Sequence, residues 1–162
     1  MLIDYFHVQL RQSIGVLLPL SSTIEVITLN PREICPIPGV PPAVLGVVNQ
    51  RGKLLWVIEL SDLLGLAPLP KQVRLQHNLI LVVLASRAAD AAIRQSAQIA
   101  CVVSTLSGVV TLDPQKFQPG SANSPIHSSF LSGVAEINQS VGVLNVNAVL
   151  ASLSSTPNLV SL

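Results

Sequence analysis

The sequence predicts an all-β protein, mostly strand with short helices, built as two related five-stranded units that each make a small closed or nearly closed barrel. Two observations carry this: short β-branched runs punctuated by turn residues, and one internal repeat spanning most of the chain. Residues 16–31, VLLPLSSTIEVITLNP, lie on residues 99–114, IACVVSTLSGVVTLDP, at an offset of 83 residues. Residues 44–65 then lie on 131–152 in the same order, one residue being lost at the turn, and Gly46 pairs with Gly133.

In the first unit, residues 5–10 and 14–19 read as a hairpin around Arg11 to Ser13, with apolar alternation in Phe6, Val8 and Leu10. Residues 26–29 read as a third strand. Pro36 to Pro42 cannot supply ladder donors at its prolines and reads as a loop or edge segment. Residues 44–49 and 54–59 are β-branched runs flanking Gln50 to Lys53, a glycine-bearing hairpin turn. Ser61 is expected to cap a short helix over Asp62 to Leu64, ended by Gly65. The second unit repeats this plan, with strands at 78–85, 97–103, 109–112, 132–137 and 141–146, and Asn147 opening a helix over 148–153. Ser86 to Ser96 and Gln118 to Ser129 read as loops. The chain divides as one domain over 1–162: a first subdomain of about 1–66, a connector 67–76, a second subdomain of about 77–153, and a tail 154–162.

A chain of 162 residues buries roughly 68–70% of its unfolded surface, so it needs no metal or disulfide staple. Charged residues are only 10%, against about 25% in an ordinary soluble domain, and apolar residues reach 49%. The longest apolar runs, Leu79 to Ala85 and Ala43 to Val48, fall far short of the ~18 residues that cross a bilayer. Asp4 and His7 interrupt any signal-peptide pattern, so a soluble, cytoplasmic chain without membrane insertion is expected. A net charge of +1 and five aromatics provide neither the field nor the stacking platform for nucleic acid. Cys35 and Cys101 stand far apart and are expected as two buried thiols, while His7, His77 and His127 are too dispersed for a metal site. The eight acidic residues show no recurring spacing, and no nucleophile elbow, phosphate loop or dinucleotide fingerprint is present. No catalytic residue, metal or cofactor is therefore assigned.

The run PGVPPAVLGVVNQRGKLLWVIELSDLLGL resembles the signature of CheW-like domains, with Asn49-x-Arg51-Gly52 its most specific part. FHVQLRQSIGVLLPLSSTIEVI, IACVVSTLSGVVTLDPQKFQP and FLSGVAEINQSVGVLNVNAVL resemble further stretches of the family, so the likeness covers about residues 5–153. It implies two SH3-like barrels packed around a shared hydrophobic core. It also implies a non-enzymatic adaptor that holds the regulatory domain of a CheA-type histidine kinase against the cytoplasmic tip of a methyl-accepting chemoreceptor. By motif match Arg51, with Asn49 and Gly52, falls where the family docks the receptor, and Glu25 falls at the acidic position nearby. The kinase contact is expected within residues 77–153. Trp56 stands where the family commonly has Pro, and Ser104 where the second barrel often has Asp. A pilus-motility or phototaxis array, or a small-barrel module with unrelated partners, are the alternatives.

Overall fold

The computed structural model describes residues 1–86, 98–120 and 124–154. Among the described residues ten strands run in order: β1 Ile3–Gln9, β2 Gly15–Pro19, β3 Thr23–Leu29, β4 Val44–Gln50, β5 Lys53–Glu59, β6 Leu79–Ala85, β7 Gln98–Val103, β8 Thr105–Leu112, β9 Leu131–Glu136 and β10 Ser140–Leu144. The same residues contain three short helices: α1 Leu60–Leu63, α2 Lys71–Arg74 and α3 Val146–Ser154. The strands form two five-stranded sheets, ordered β8-β1-β2-β10-β9 and β3-β6-β7-β5-β4.

The repeat holds strand for strand. β1 to β5 correspond to β6 to β10, and each sheet has the same order of strand types. Its details repeat as well. The parallel pair β5–β7, with Val57 opposite Ala100, matches the parallel pair β10–β2, with Val143 opposite Leu17. The isolated bridge Cys35 to Val47 matches Gln118 to Val134. Register shifts fall at Ile24 and at the equivalent Ser107.

The sheets do not follow the division of the sequence into halves. Each takes its first hairpin from one unit and its other three strands from the other, so β1 and β2 complete the sheet of β8, β9 and β10. The reason lies in the two parallel pairings. A parallel neighbour cannot be reached by a tight hairpin, so β5 and β10 find their partners across the connector instead. The connector 67–76 itself contains α2.

Strand alternation sorts the apolar side chains into three cores. Leu29, Leu55, Val57, Leu81, Val83, Ala100 and Val102 fill the inside of one sheet. Tyr5, Leu17, Ala135, Val141 and Val143 fill the inside of the other, where Tyr5 meets Phe117 edge to face at 5.7 Å. The opposite faces of the same central strands, through Val16, Leu18, Ile58, Val82, Cys101 and Leu144, pack the sheets on one another, sealed by Leu60, Leu64, Val146 and Val149. Central strands buried on both faces explain the continuous apolar runs and the low charge.

Several sequence expectations are corrected. β3 begins at Thr23 and β8 at Thr105, earlier than expected, because both are edge strands whose outer residues face solvent and blur the apolar pattern. Ser61 does not cap α1. Glu59 occupies the cap position without a side-chain bond, and the Ser61 hydroxyl accepts from the Arg11 N–H at 3.3 Å. Asn145, not Asn147, opens the last helix, its Oδ1 accepting from the Ala148 N–H at 3.0 Å. Cys101 is buried but Cys35 is exposed, since its backbone is occupied in the bridge to Val47 at the sheet surface. Trp56 is partly buried against the shared core, with its indole N–H enclosed and without a partner among the described residues. Residues 87–97, most of the expected 86–96 loop, lie outside the described residues.

Candidate docking site

Gln50 pairs with Lys53, leaving Arg51 and Gly52 as a two-residue turn. Both have positive φ, 55° and 82°, the type I′ geometry that matches the right-handed twist of the flanking strands. Glycine adopts it freely, whereas arginine does so at a cost of about 1 kcal/mol. Asn49 holds the turn from below, its Oδ1 accepting from the Gly52 N–H at 2.9 Å.

From that turn Arg51 Nη2 donates to Glu25 Oε2. Glu25 lies on β3, at the far side of the same sheet in strand order, so the sheet curls until its two edges face one another. The Cys35 bridge to Val47 ties the same two edges together. The Arg51 side chain remains 71% exposed and that of Glu25 31%, so the pair lies open to a partner. Ile24, Val26 and Leu54 are exposed nearby on β3 and β5. Ile24, Glu25, Gln50, Arg51, Lys53 and Leu55 line a shallow depression of about 310 Å³. An exposed ion pair flanked by Ile24, Val26 and Leu54 and by the polar Gln50 and Lys53 suits a protein surface rather than a reacting small molecule. All four residues singled out by the sequence thus converge on one rim, although they come from two separate segments.

A second charged group was not legible in the sequence. Asp62 accepts from Arg11 Nη2 and Arg74 Nη2, each at 2.5 Å. Glu59 stands farther off, 3.6 Å from Arg11 Nη1 and 4.0 Å from Arg74 Nη1. Arg11 also donates to the Ala67 carbonyl at 2.6 Å, and Arg74 Nε to that of Leu69 at 3.3 Å. All four side chains are at most 14% exposed. The group ties the β1–β2 turn of one sheet to α1 of the other and to the connector. Burial pushes the Glu59 carboxyl up to about 7, with Arg11 the main opposing influence. Burial, with the Glu59 charge second, pushes the Cys101 thiol up to about 12, so it is no nucleophile. The spacing of Glu59 and Asp62 around a helix start was a visible signal, but nothing in the sequence points to their arginines. Among the described residues no group of histidine, cysteine and acidic side chains could hold a metal ion, and no helix is long and apolar enough to cross a membrane.

Two five-stranded sheets packed on a shared core thus carry one exposed charged rim. Residues 4–154 match the CheW-like domain, and the chain belongs to that family. Its proteins are scaffolding adaptors, not enzymes. The fold is similar to the crystal structure of the scaffolding protein TtCheW from Thermoanaerobacter tengcongensis, with a TM-score of 0.70 and 18% identity over 90% of each chain. No curated protein sequence matches the chain.

Proposed function

We propose that this chain is the cytoplasmic adaptor that couples the tip of a methyl-accepting chemoreceptor to the regulatory domain of a CheA-type histidine kinase. The observation that carries the reading is the exposed Arg51–Glu25 pair, set by Asn49 and Gly52 on an apolar rim. The family match supports it, because it covers residues 4–154, including the Asn-x-Arg-Gly turn. Arg51 meets the receptor: its planar guanidinium offers several donors to a carboxylate or carbonyl cluster and uses only part of them on Glu25. The kinase contact falls within 77–153. In that span β6, β7 and β10 are interior strands of their sheets, which leaves β8 and β9 as its edge strands.

The test uses a receptor cytoplasmic fragment and four proteins: wild type, Arg51→Lys, Arg51→Glu, and the swap Glu25→Arg with Arg51→Glu. Arg51→Glu is expected to weaken receptor binding at least ~10-fold, with kinase binding and melting temperature retained. Arg51→Lys recovers binding only in part, since a point charge cannot make a bidentate contact. The swap restores the internal pair but not the receptor contact. Wild-type affinity in Arg51→Glu, or full rescue by the swap, contradicts the assignment of Arg51 to the receptor.

A further inference from the structure

The repeat contains a place where one unit holds a large side chain and the other holds none. Trp56 pairs with Val47 and Ile99, and Gly142 pairs with the equivalent Val134 and Val16. Gly142 therefore occupies the position of Trp56. Both positions face the shared core, since Ile58 and Leu144, two residues further along the same strands, belong to it. In the first unit the indole of Trp56 packs against that core with its N–H enclosed. Val47, across from the indole, is 8% exposed, whereas Val134, across from Gly142, is only half-buried.

The second unit replaces little of the missing ring. Leu131 stands where the first unit has Val44, one methylene larger, and its methyl carbons would lie 3.0 Å from a Cβ on Gly142. Ile126 Cδ1 would lie at 3.2 Å. A hollow of about 380 Å³ adjoins them, with Gly15, Ile126, Leu131, Val134, Val141 and Gly142 on its wall. That volume falls in the range of about 300–1,000 Å³ common to small-molecule sites. Gly15 is the counterpart of Gln98, so a second side chain is missing from the wall. Among the lining residues the one charged group is Glu136. Its Oε1 accepts from the Ser140 hydroxyl, and its second oxygen can accept from a ligand.

We infer that this hollow binds a small planar aromatic molecule with a ring N–H, of the size and shape of an indole. The first unit is the template. There an indole fits the equivalent face of the same fold as part of the chain, and in the second unit only the attachment is absent. A hollow walled by leucine, isoleucine and valine gains dispersion contacts when a ring replaces poorly bonded water. Glu136 favours a donor and opposes an anion, which fixes the polarity of the ligand. None of the wall residues belongs to the Arg51–Glu25 rim, so the inference does not depend on the adaptor reading.

The experiment titrates the full chain with indole, followed by calorimetry and by methyl NMR. Saturable binding of one indole per chain is expected, with a Kd below about 1 mM. Intermolecular NOEs should join the indole protons to methyls of Ile126, Leu131 and Val134. Benzofuran, which has the same shape and no N–H, should bind at least ~5-fold more weakly. Val134→Phe enlarges a half-buried side chain on the wall and should weaken indole binding ~10-fold or more with Tm retained. Gly142→Trp, which restores the residue of the first unit, should abolish binding. A Kd above about 1 mM, or NOEs to residues elsewhere, overturns the site on the wild type alone, whether or not the variants fold. Unaltered binding in a folded Val134→Phe overturns it as well. Equal affinity for benzofuran and indole overturns the requirement for a ring N–H.

Discussion

Replacing Gly46 by alanine probes the closure that brings the docking rim together. Gly46 has φ of 143°, and a Cβ placed there would stand 2.1 Å from the Cys35 carbonyl oxygen and 2.8 Å from its carbon. Both atoms are backbone, so the segment around Cys35 must move away from β4. That movement breaks the bridge made by Cys35 N–H to Val47 C=O at 2.8 Å and its reciprocal at 2.9 Å. Two backbone hydrogen bonds contribute about 2 kcal/mol together, and the unfavourable φ adds about 1–2 kcal/mol, for a loss of about 3–4 kcal/mol. For a chain of this length that corresponds to a fall of roughly 10 °C in Tm. The equivalent Gly133→Ala is the internal control. Its Cβ would meet the Gln118 oxygen and Phe117 Cβ at 3.1 Å, a contact that a small shift relieves, and about 1 kcal/mol is expected. The assay is urea denaturation of both variants followed by circular dichroism, with receptor binding measured on the folded protein. Equal losses, or a Gly46→Ala loss under about 1 kcal/mol, refute the reasoning from backbone contact.

Glu59 makes stability depend on pH. Its carboxyl is pushed up from 4.5 to about 7 in the folded chain, so the contribution is fully present below about pH 4.5 and is lost as pH rises through about 7. The difference reaches about 3 kcal/mol, and Glu59→Gln, compared with wild type by thermal melts from pH 4.5 to 8, should remove this part of the slope. Asp62→Asn breaks both 2.5 Å ion pairs and leaves two buried guanidinium groups poorly compensated. A loss of about 3 kcal/mol is expected in denaturant titrations, and a neutral result means that Glu59 takes over both arginines. Arg51→Asn keeps the turn in a residue that tolerates positive φ, so Tm should rise slightly while receptor affinity falls. A fall in both would assign Arg51 a structural role.

The parts of this protein that were legible in the sequence are those governed by local rules. The Arg51–Gly52 turn, the helix stop at Gly65 and the repeat itself follow from turn chemistry and alternation, and the structure bears them out. What was not legible depends on distant pairing. The exchange of hairpins between sheets is decided by parallel pairs whose members lie over 40 residues apart in sequence, as in Val57 opposite Ala100. The meeting of Arg11 and Arg74 at Asp62 is decided by the same packing. Edge strands were under-read because solvent on one side removes the apolar signal at Ile24 and Val109. Convergence of Glu25 on Arg51 was available only through the family resemblance, since no spacing links a residue on β3 to the turn that follows β4.

Co-retention on an immobilised receptor tests the central claim most directly. A receptor cytoplasmic fragment is fixed to a surface, and the kinase regulatory domain is passed over it with and without this chain. The account predicts that kinase is retained only when the chain is present, that retention saturates with the chain at a fixed ratio, and that Arg51→Glu abolishes it. Kinase that displaces the chain from the receptor, or a chain that binds one partner and never both together, contradicts the account.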